Sequence, residues 1–332
     1  MIAKTTLQKA SNLIQSTQHP LLVCHVAPDG DAIGSLLGLS RALTFLSKQP
    51  VLACADPVPN HYQFIPGAEL IEQEITAPFD LVITLDCSDL QRVGHIAETP
   101  GFSACSLLNI DHHVTNLNFG HVNIAPAEAS STAEVVLELL EYIQIAVDTD
   151  LALCLLTGIL TDTRGLRTNN VTIKVVESVL RLMKTGASVP YIIKNTLDRR
   201  STSAMRLWGM ALAQLQVKDR IVWTAIPQEM RQSAHYLGNG DAGLVNYLMG
   251  AQEADVAAVF VELENSNVEV GFRANPGYDV AQVALELGGG GHTLAAGCTT
   301  EGPLETAQSH VLQLLRESIK RQSQAIDAGR NS

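Results

Sequence analysis

Three potential metal ligands lie within seven residues near the start of the chain. They are His25, Asp29 and Asp31, in the segment HVAPDGD. An imidazole and two carboxylates at this spacing are suitable donors for a divalent metal ion. The proline and glycine of the segment favour a tight loop that directs the side chains to one side. The alternative is a polar loop in which Asp31 or Ser35 caps the following helix.

Further acidic and histidine side chains follow apolar segments. They are Asp86, the triplet Asp111, His112 and His113, and Asp162. Such groups directly after an apolar strand are costly to bury unless they are paired or coordinated. Taken singly, each has a structural alternative. Asp86 could cap a helix, the triplet could form a surface turn, and Asp162 could end a helix.

The first half of the sequence alternates short apolar runs with helical patterns, which is typical of a parallel sheet covered by helices. The predicted strands are Leu21–Val26, Val51–Ala55, Leu81–Leu85 and Ser106–Ile110. The predicted helices are 34–48, 131–144, 150–160 and 172–184, with a loop over 27–33. The helix at 131 begins with a capping box, Ser131-Thr-Ala-Glu134. An α/β domain with a parallel sheet is therefore expected.

In an open parallel sheet, ligands bind beyond the carboxyl ends of the strands, so the acidic and histidine groups should converge there. Four or five carboxylates at one edge would repel one another unless divalent cations neutralise them. A donor set of oxygen and imidazole without thiolate favours Mn²⁺, with Mg²⁺, Co²⁺ or Fe²⁺ as alternatives. The number of donors fits two ions better than one. A two-metal centre activates water and stabilises both oxygens at phosphorus, which predicts phosphoester hydrolysis.

The second half predicts a smaller α/β domain. Its expected strands are 221–226, 255–263 and 268–274, and its helices are 205–215, 279–287 and 304–321. The run Gly288-Gly289-Gly290-Gly291-His292 is interpreted as an anion-binding loop, the alternative being a flexible joint. Arg273 lies on the polar face of a strand and is a candidate partner for the same anion, although a surface arginine is the alternative.

Length and composition limit the function classes. The 332 residues suggest two domains, assigned to 1–185 and 205–325 with a linker at 186–204. A net charge of −12 disfavours binding to long duplex nucleic acid. No signal peptide is recognised, and the longest apolar stretch, Leu151–Leu160, is far shorter than the roughly 20 residues of a membrane span. The six cysteines contain no C-x-x-C pair, which predicts a cytoplasmic enzyme with reduced thiols.

Together these motifs resemble the DHH phosphoesterase superfamily, and the glycine run resembles its DHH-associated C-terminal domain. The segments that carry the resemblance are His25–Ser35, Asp86–Arg92, Asp111–His113 with Asn116, Thr161–Thr163, and Gly288–His292. The chain is most similar to the short two-domain bacterial oligoribonucleases, or nanoRNases, and is also similar to RecJ exonucleases. Members of the nanoRNase branch also remove the 3′-phosphate of 3′-phosphoadenosine 5′-phosphate.

The resemblance implies a role for each site residue. His25, Asp29 and Asp86 would hold one metal ion, and Asp31, Asp86, His112 and Asp162 would hold the other, with Asp86 bridging. His113 would face the scissile phosphate and Asp111 would orient a neighbouring ligand. Arg273, Gly289, Gly290, Gly291 and His292 would bind a phosphate or terminal nucleotide. Arg164 and Leu166 depart from the family pattern, which expects a smaller residue and a phenylalanine, and this affects substrate preference.

The expected function is two-metal-dependent hydrolysis of short oligonucleotides to nucleoside monophosphates, with 3′-phosphoadenosine 5′-phosphate as a further substrate. A scarcity of aromatic residues, 5% of the chain, argues that only a few nucleotides are bound. One alternative is a phosphodiesterase for cyclic or linear signalling dinucleotides. A second, of another class, is a non-catalytic nucleotide-binding sensor. The resemblance also implies a homodimer, and no membrane partner is expected.

Overall fold

Five parallel strands form the sheet of the first half of the chain, in the order β2-β1-β3-β4-β5. The strands are β1 (Pro20–Cys24), β2 (Val51–Ala53), β3 (Leu81–Leu85), β4 (Ser106–Ile110) and β5 (Val122–Ile124). Every residue of β1 and β3 is buried, as expected for parallel strands covered on both faces. This computed structural model describes residues 2–238 and 240–330, with side chains described as far as Gln322.

Six α-helices accompany this sheet among the described residues. They are α1 (Lys4–Ser16), α2 (Gly30–Phe45), α3 (Thr132–Tyr142), α4 (Thr149–Asp162), α5 (Ile173–Lys184) and α6 (Val189–Asn195). The prediction of a loop over 27–33 was wrong in its second half, because α2 begins at Gly30. The reason is the Asp29 carboxylate, which accepts hydrogen bonds from the N–H groups of Asp31 and Ala32 and so caps the helix.

Helices α2 and α4 pack closely through glycines. A Cβ atom at Gly34 would lie 2.5 Å from the carbonyl oxygen of Cys154, a distance that real Cβ atoms do not show. A Cβ atom at Gly158 would lie 2.6 Å from Oδ1 of Asp31. The contact between these two helices therefore includes Asp31, one of the predicted metal ligands.

The chain divides into two compact units, Met1–Arg199 and Arg200–Ser332. The boundary lies inside the segment 186–204 that the sequence analysis interpreted as a linker. Most of that segment belongs to the first unit, because α6 lies within it. Ile192 of α6 is fully buried in the first hydrophobic core.

The second unit contains a six-stranded mixed sheet in the order β10-β11-β9-β8-β7-β6. Its strands are β6 (Gln216–Lys218), β7 (Ile221–Ile226), β8 (Val256–Glu262), β9 (Val268–Ala274), β10 (Gly290–His292) and β11 (Ala295–Thr300). Only β7 and β8 are parallel to each other. Its helices are α7 (Thr202–Leu212), α8 (Gln228–Ser233), α9 (Leu244–Leu248), α10 (Ala281–Glu286) and α11 (Leu304–Arg330).

Two hydrophobic cores cover the opposite faces of this second sheet. Val270 and Phe272 of β9 pack in one core with α10 and α11. Val259 and Val261 of β8 pack in the other core with residues of α7 to α9. No helix in the described part of the chain is long and apolar enough to cross a lipid bilayer.

Candidate metal centre

The register of the first sheet brings three site residues to one edge. Cys24 at the end of β1 pairs with Leu85 of β3, and Leu85 pairs with Ile110 of β4. The next residue of each strand is His25, Asp86 and Asp111, respectively. Three neighbouring parallel strands therefore end at the same level, each followed by a titratable side chain.

His25 belongs to the first of two donor groups. Its Nε2 atom lies 3.4 Å from Oδ2 of Asp86 and 3.9 Å from Oδ1 of Asp29. Its Nδ1 atom lies 2.7 Å from the carbonyl oxygen of Val26 and 3.0 Å from Nη2 of Arg92. The carbonyl oxygen of Val26 only accepts hydrogen bonds, so a proton on Nδ1 satisfies this contact, while Nε2 faces the two carboxylates.

His112 belongs to the second donor group. Its Nε2 atom lies 3.5 Å from Oδ2 of Asp162, 3.7 Å from Oδ1 of Asp86 and 3.9 Å from Oδ2 of Asp31. Ligand atoms of Asp31, His112 and Asp162 all lie within 4.8 Å of one another, as do those of His25, Asp29 and Asp86. Each group has the composition and spacing of a site that could hold a metal ion.

Asp86 contacts both groups through different oxygens. Oδ2 faces His25, whereas Oδ1 faces His112 and lies 3.6 Å from Nδ1 of His113. The carboxyl group is 2% exposed, and the hydroxyl of Thr132 donates a hydrogen bond of 2.8 Å to its Oδ1 atom. The structure thus places one buried carboxylate between two sets of donors.

Asp31 is held at the N-terminus of α3. Its Oδ2 atom accepts a hydrogen bond of 2.6 Å from the N–H of Thr132, and its Oδ1 atom accepts one of 2.9 Å from the N–H of Ala133. The positive end of a helix stabilises a buried carboxylate in this position. The sequence analysis recognised the capping box of α3, whose Ser131 hydroxyl accepts from the N–H of Glu134, but did not connect Asp31 with this helix.

Asp111 and His113 form a pair beside the donor groups. Nδ1 of His113 lies 2.7 Å from Oδ1 of Asp111, while Nδ2 of Asn116 donates to Oδ2 of Asp111 at 2.6 Å. Burial lowers the pKa of His113, but the hydrogen bond to Asp111 and the charges of Asp86 and Asp111 outweigh burial and raise it to about 9. Asn109, which the sequence analysis missed, extends this network by accepting from Asn116.

The carboxylates of the cluster strongly affect one another. Burial and the charges of Asp86 and Asp162 raise the pKa of Asp31 well above its ordinary value. Burial raises the pKa of Asp162 to about 6; the charge of His112 opposes this rise and that of Asp86 adds to it. Burial also opposes ionisation of Asp86, but the hydrogen bond to His25 and the charge of His112 hold the pKa of Asp86 far below its ordinary value.

This chemistry fits divalent cations. Among the described residues, the clusters able to hold a metal consist of carboxylates and imidazoles, without a cysteine. Bound cations would offset both the burial and the repulsion that raise the pKa values of Asp31 and Asp162. All six residues that the sequence analysis selected as metal ligands belong to these clusters.

The second unit contains a cavity of about 570 Å³ beside β9. Arg273, Gly288 and Gly289 line it, together with the acidic residues Asp241 and Glu269. The Arg273 guanidinium donates from Nε to Oδ1 of Asn246 at 2.8 Å and from Nη1 to the carbonyl oxygen of Phe272 at 2.7 Å. The predicted alternation along β9, with Arg273 away from the buried face, is confirmed.

The sequence analysis expected the glycine run to be a loop. The structure shows that part of it is a strand. Gly290, Gly291 and His292 form strand β10, which pairs with β11 as a hairpin. A Cβ atom at Gly289 would lie 2.2 Å from the carbonyl oxygen of Gly297, and one at Gly291 would lie 2.6 Å from that of Ala295. The close approach of the two backbones therefore accounts for Gly289 and Gly291 without any ligand.

Comparisons with known proteins agree with both units. The DHH family, N-terminal domain, matches residues 20–159, and the DHHA1 domain matches residues 238–321. The chain is 32% identical over 321 residues to the bifunctional oligoribonuclease and PAP phosphatase NrnA of Thermus thermophilus, with 95% of each chain covered. It is 28% identical over 334 residues to the cyclic-di-AMP phosphodiesterase GdpP of Geobacillus thermodenitrificans, covering 92% of this chain and 48% of that protein. The crystal structure of an exopolyphosphatase-related protein from Bacteroides fragilis superimposes with a TM-score of 0.90 at 26% identity, covering 97% of this chain and 98% of that one.

Proposed function

Because the chain belongs to the DHH family of phosphoesterases, we propose that it hydrolyses short oligoribonucleotides to nucleoside monophosphates and 3′-phosphoadenosine 5′-phosphate to AMP. The observation that carries the proposal is the position of Asp86, whose two oxygens face two separate donor groups. The similarity to the Thermus oligoribonuclease and PAP phosphatase extends over almost the whole chain and supports the choice of substrates.

The two donor groups would each hold one divalent ion, with Mn²⁺ favoured by the oxygen and imidazole donors. His25, Asp29 and Asp86 would hold one ion, and Asp31, Asp86, His112 and Asp162 would hold the other. The ions would lower the pKa of a water molecule and stabilise negative charge on the phosphoryl oxygens.

His113 would bind the scissile phosphate from beside the two donor groups. Its hydrogen bond to Asp111 fixes the ring through Nδ1, which directs Nε2 away from Asp111. Donation of a hydrogen bond from Nε2 to a phosphoryl oxygen would stabilise the charge that develops there during hydrolysis. Asp111 would act by orienting this ring, and Asn116 by orienting Asp111.

The second unit would bind a nucleotide or a phosphate at its own cavity. Arg273, with Gly289, Gly290, Gly291 and His292 of the adjacent hairpin, would bind a phosphate or a terminal nucleotide. The cavity beside Arg273 combines a guanidinium with the carboxylates of Asp241 and Glu269. Carboxylates accept hydrogen bonds from amino and hydroxyl groups, so the lining suits a nucleoside with its phosphate better than a bare phosphate.

Product analysis tests the proposed activity. Purified protein is incubated, with Mn²⁺ or with EDTA, with a labelled five-nucleotide RNA and with 3′-phosphoadenosine 5′-phosphate. We expect mononucleotides and AMP with Mn²⁺, and no product with EDTA or with the Asp86→Asn variant. The control is Asp150→Asn, which makes the same chemical change at an exposed ion pair with Arg41. Equal activity of the wild type and Asp86→Asn would contradict the proposed centre.

A second candidate is hydrolysis of a cyclic or linear signalling dinucleotide. It is favoured by the 28% identity to a cyclic-di-AMP phosphodiesterase, although the chain spans only 48% of that protein. Including both kinds of dinucleotide in the same assay distinguishes the candidates through their kcat/KM values. Nucleotide binding without turnover of any substrate would instead support a sensor.

We also propose that the native metal is Mn²⁺, that the protein is a homodimer and that it is cytoplasmic. The donor set supports Mn²⁺, and the other two follow from the family resemblance and the composition. Metal analysis of the protein as isolated, light scattering of the full chain and fractionation of the source cells test them in turn.

A further inference from the structure

We propose that Thr132 is a positioning residue that fixes Asp86 between the two donor groups. This inference rests on the proposed function, because it concerns the same metal centre. Thr132 lies at the start of α3, outside the segments that carry the family motifs, and the sequence explains it sufficiently as part of a capping box. The structure gives its hydroxyl a different partner.

Thr132 is fully buried and contacts two of the clustered carboxylates. Its hydroxyl donates to Oδ1 of Asp86 at 2.8 Å, and its backbone N–H donates to Oδ2 of Asp31 at 2.6 Å. The neighbouring N–H of Ala133 donates to the other oxygen of Asp31. The first turn of α3 therefore holds one carboxylate through its backbone and the other through a side chain.

The helix itself does not need the Thr132 hydroxyl. The N-cap of α3 is Ser131, whose hydroxyl accepts from the N–H of Glu134. The capping glutamate in turn accepts from the N–H and hydroxyl of Ser130. A hydroxyl carries only one proton, so the Thr132 hydroxyl donates its single hydrogen bond to Asp86.

The orientation of Asp86 affects both donor groups at once. Rotation of its carboxyl group would move Oδ2 away from His25 and Oδ1 away from His112. A hydrogen bond to one oxygen restricts this rotation, as outer hydrogen bonds to metal-binding carboxylates commonly do. Loss of the hydroxyl should therefore weaken both metal positions together, whereas loss of His25 or His112 should weaken chiefly one.

The test compares Thr132→Val with Thr132→Ser in the full-length protein. Valine has nearly the same shape as threonine and keeps the backbone N–H that contacts Asp31, but it cannot donate to Asp86. Serine retains the donor. Ser131→Ala serves as a control for the helix cap. The readouts are Mn²⁺ affinity from titration, the electron paramagnetic resonance signal of coupled Mn²⁺ pairs, and the thermal midpoint in EDTA.

We expect Thr132→Val to bind Mn²⁺ about 10- to 100-fold more weakly and to lose the coupled-pair signal. Thr132→Ser should bind Mn²⁺ nearly as tightly as the wild type, because it keeps the donor whose loss costs about 10- to 100-fold. Ser131→Ala should lower the thermal midpoint in EDTA and leave Mn²⁺ affinity unchanged. Wild-type Mn²⁺ affinity and pair signal in a folded Thr132→Val protein would overturn the inference, as would equal losses in the serine and valine variants.

The metal titration separates this inference from the proposed function. If the wild type binds Mn²⁺ and Thr132→Val binds it weakly, the inference stands even if no oligonucleotide or nucleotide is cleaved. If the wild type cleaves its substrates and Thr132→Val binds Mn²⁺ normally, only the inference fails. A wild type that binds no Mn²⁺ would overturn both.

Discussion

The N–H of Thr132 lies 2.6 Å from Oδ2 of Asp31, which joins the N-terminus of α3 to a carboxylate 101 residues earlier in the chain. Asp31 accepts a second N–H at its other oxygen, so both of its oxygens act as hydrogen-bond acceptors. Asp162 differs, because its carboxylate accepts no hydrogen bond from any described side chain or N–H group. The two aspartates should therefore respond differently to replacement by asparagine.

In EDTA, we expect Asp162→Asn to stabilise the protein and Asp31→Asn to destabilise it. Removing the Asp162 charge removes the cost of burying it and the repulsion from Asp86 and Asp29, which together outweigh the attraction of His112, and it costs no hydrogen bond. An asparagine at position 31 would instead place an NH₂ group against a backbone N–H, leaving a buried donor without a partner. Urea unfolding in EDTA measures both changes, and destabilisation by Asp162→Asn would contradict this view of the metal-free cluster.

The effect of Asp162→Asn should depend on pH. The pKa of Asp162 is raised to about 6 in the folded protein, whereas the ordinary value is 3.8. A raised carboxyl pKa means that ionisation opposes folding. The loss of folding stability caused by the Asp162 charge is therefore complete above pH 6 and disappears below about pH 4. We expect the variant to be more stable by up to about 3 kcal/mol at pH 7.5, with a smaller gap at pH 5. A gap that widens on acidification would contradict the prediction.

Gly158 couples helix packing to the metal centre. A Cβ atom there would lie 2.6 Å from both Oδ1 of Asp31 and Cβ of Ala133. We expect Gly158→Ala to destabilise the protein by about 1–3 kcal/mol and to weaken Mn²⁺ binding through displacement of Asp31.

Gly209 is the control, because no described atom lies within 4 Å of its added Cβ. Gly209→Ala in α7 should stabilise the protein by about 0.5–1 kcal/mol without affecting Mn²⁺. Urea unfolding and Mn²⁺ titration measure these effects, and normal Mn²⁺ affinity in Gly158→Ala would show that Asp31 has not moved.

The sequence predictions were most accurate where the local pattern of apolar residues was clearest. The bounds of β3, β4, β7 and β9 were predicted correctly, because each is an apolar run or a clear alternation. The start of α2 was missed because Asp29 is both its cap and a candidate ligand. Strand β10 is Gly-Gly-His, and the first three residues of β11 are alanine and glycine, so neither begins with the β-branched or aromatic residues that mark a strand.

The clustering of the candidate ligands could be anticipated from the sequence. The ligands follow strand ends, and the register of a parallel sheet then brings them together. Thr132 and Asn109 could not be found in this way, because their hydrogen bonds depend on contacts between distant segments. A threonine beside a capping serine has a sufficient local explanation, and nothing in the sequence near it points to Asp86.

Arg164 has a backbone conformation that favours glycine. Its φ angle is +51°, and Gly165 and Leu166 that follow also have positive φ angles. We expect Arg164→Gly to stabilise the protein by about 1 kcal/mol, whereas Arg164→Ala should not, because alanine keeps the unfavourable conformation. Thermal unfolding of the two variants measures the difference, and equal stabilisation by both would contradict it.

The Arg164 side chain should affect substrate binding. In the described part of the chain it forms no ion pair, and burial and the charge of Arg167 lower its pKa. A guanidinium in such surroundings favours an anion. We therefore expect Arg164→Ala and Arg164→Gly to raise KM for a five-nucleotide RNA about fivefold, as expected for an exposed charge contact, with kcat little changed. An unchanged KM in both variants would show that the side chain faces solvent.

The position of Asp86 predicts how many Mn²⁺ ions each variant binds. His25→Ala removes a donor from one group and His112→Ala removes one from the other, so each should bind one Mn²⁺ tightly instead of two. Asp86→Asn replaces the carboxylate that faces both groups and that we propose both ions share, so neither Mn²⁺ should remain tightly bound. When free Mn²⁺ is at 100 times its Kd, binding adds about 2.7 kcal/mol per site to the stability of the wild type. The rise in melting temperature on adding Mn²⁺ should therefore be largest in the wild type, intermediate in the histidine variants and smallest in Asp86→Asn. Equilibrium dialysis with Mn²⁺ gives the stoichiometry directly, and one tightly bound Mn²⁺ in Asp86→Asn would show that the two donor groups do not depend on a common ligand.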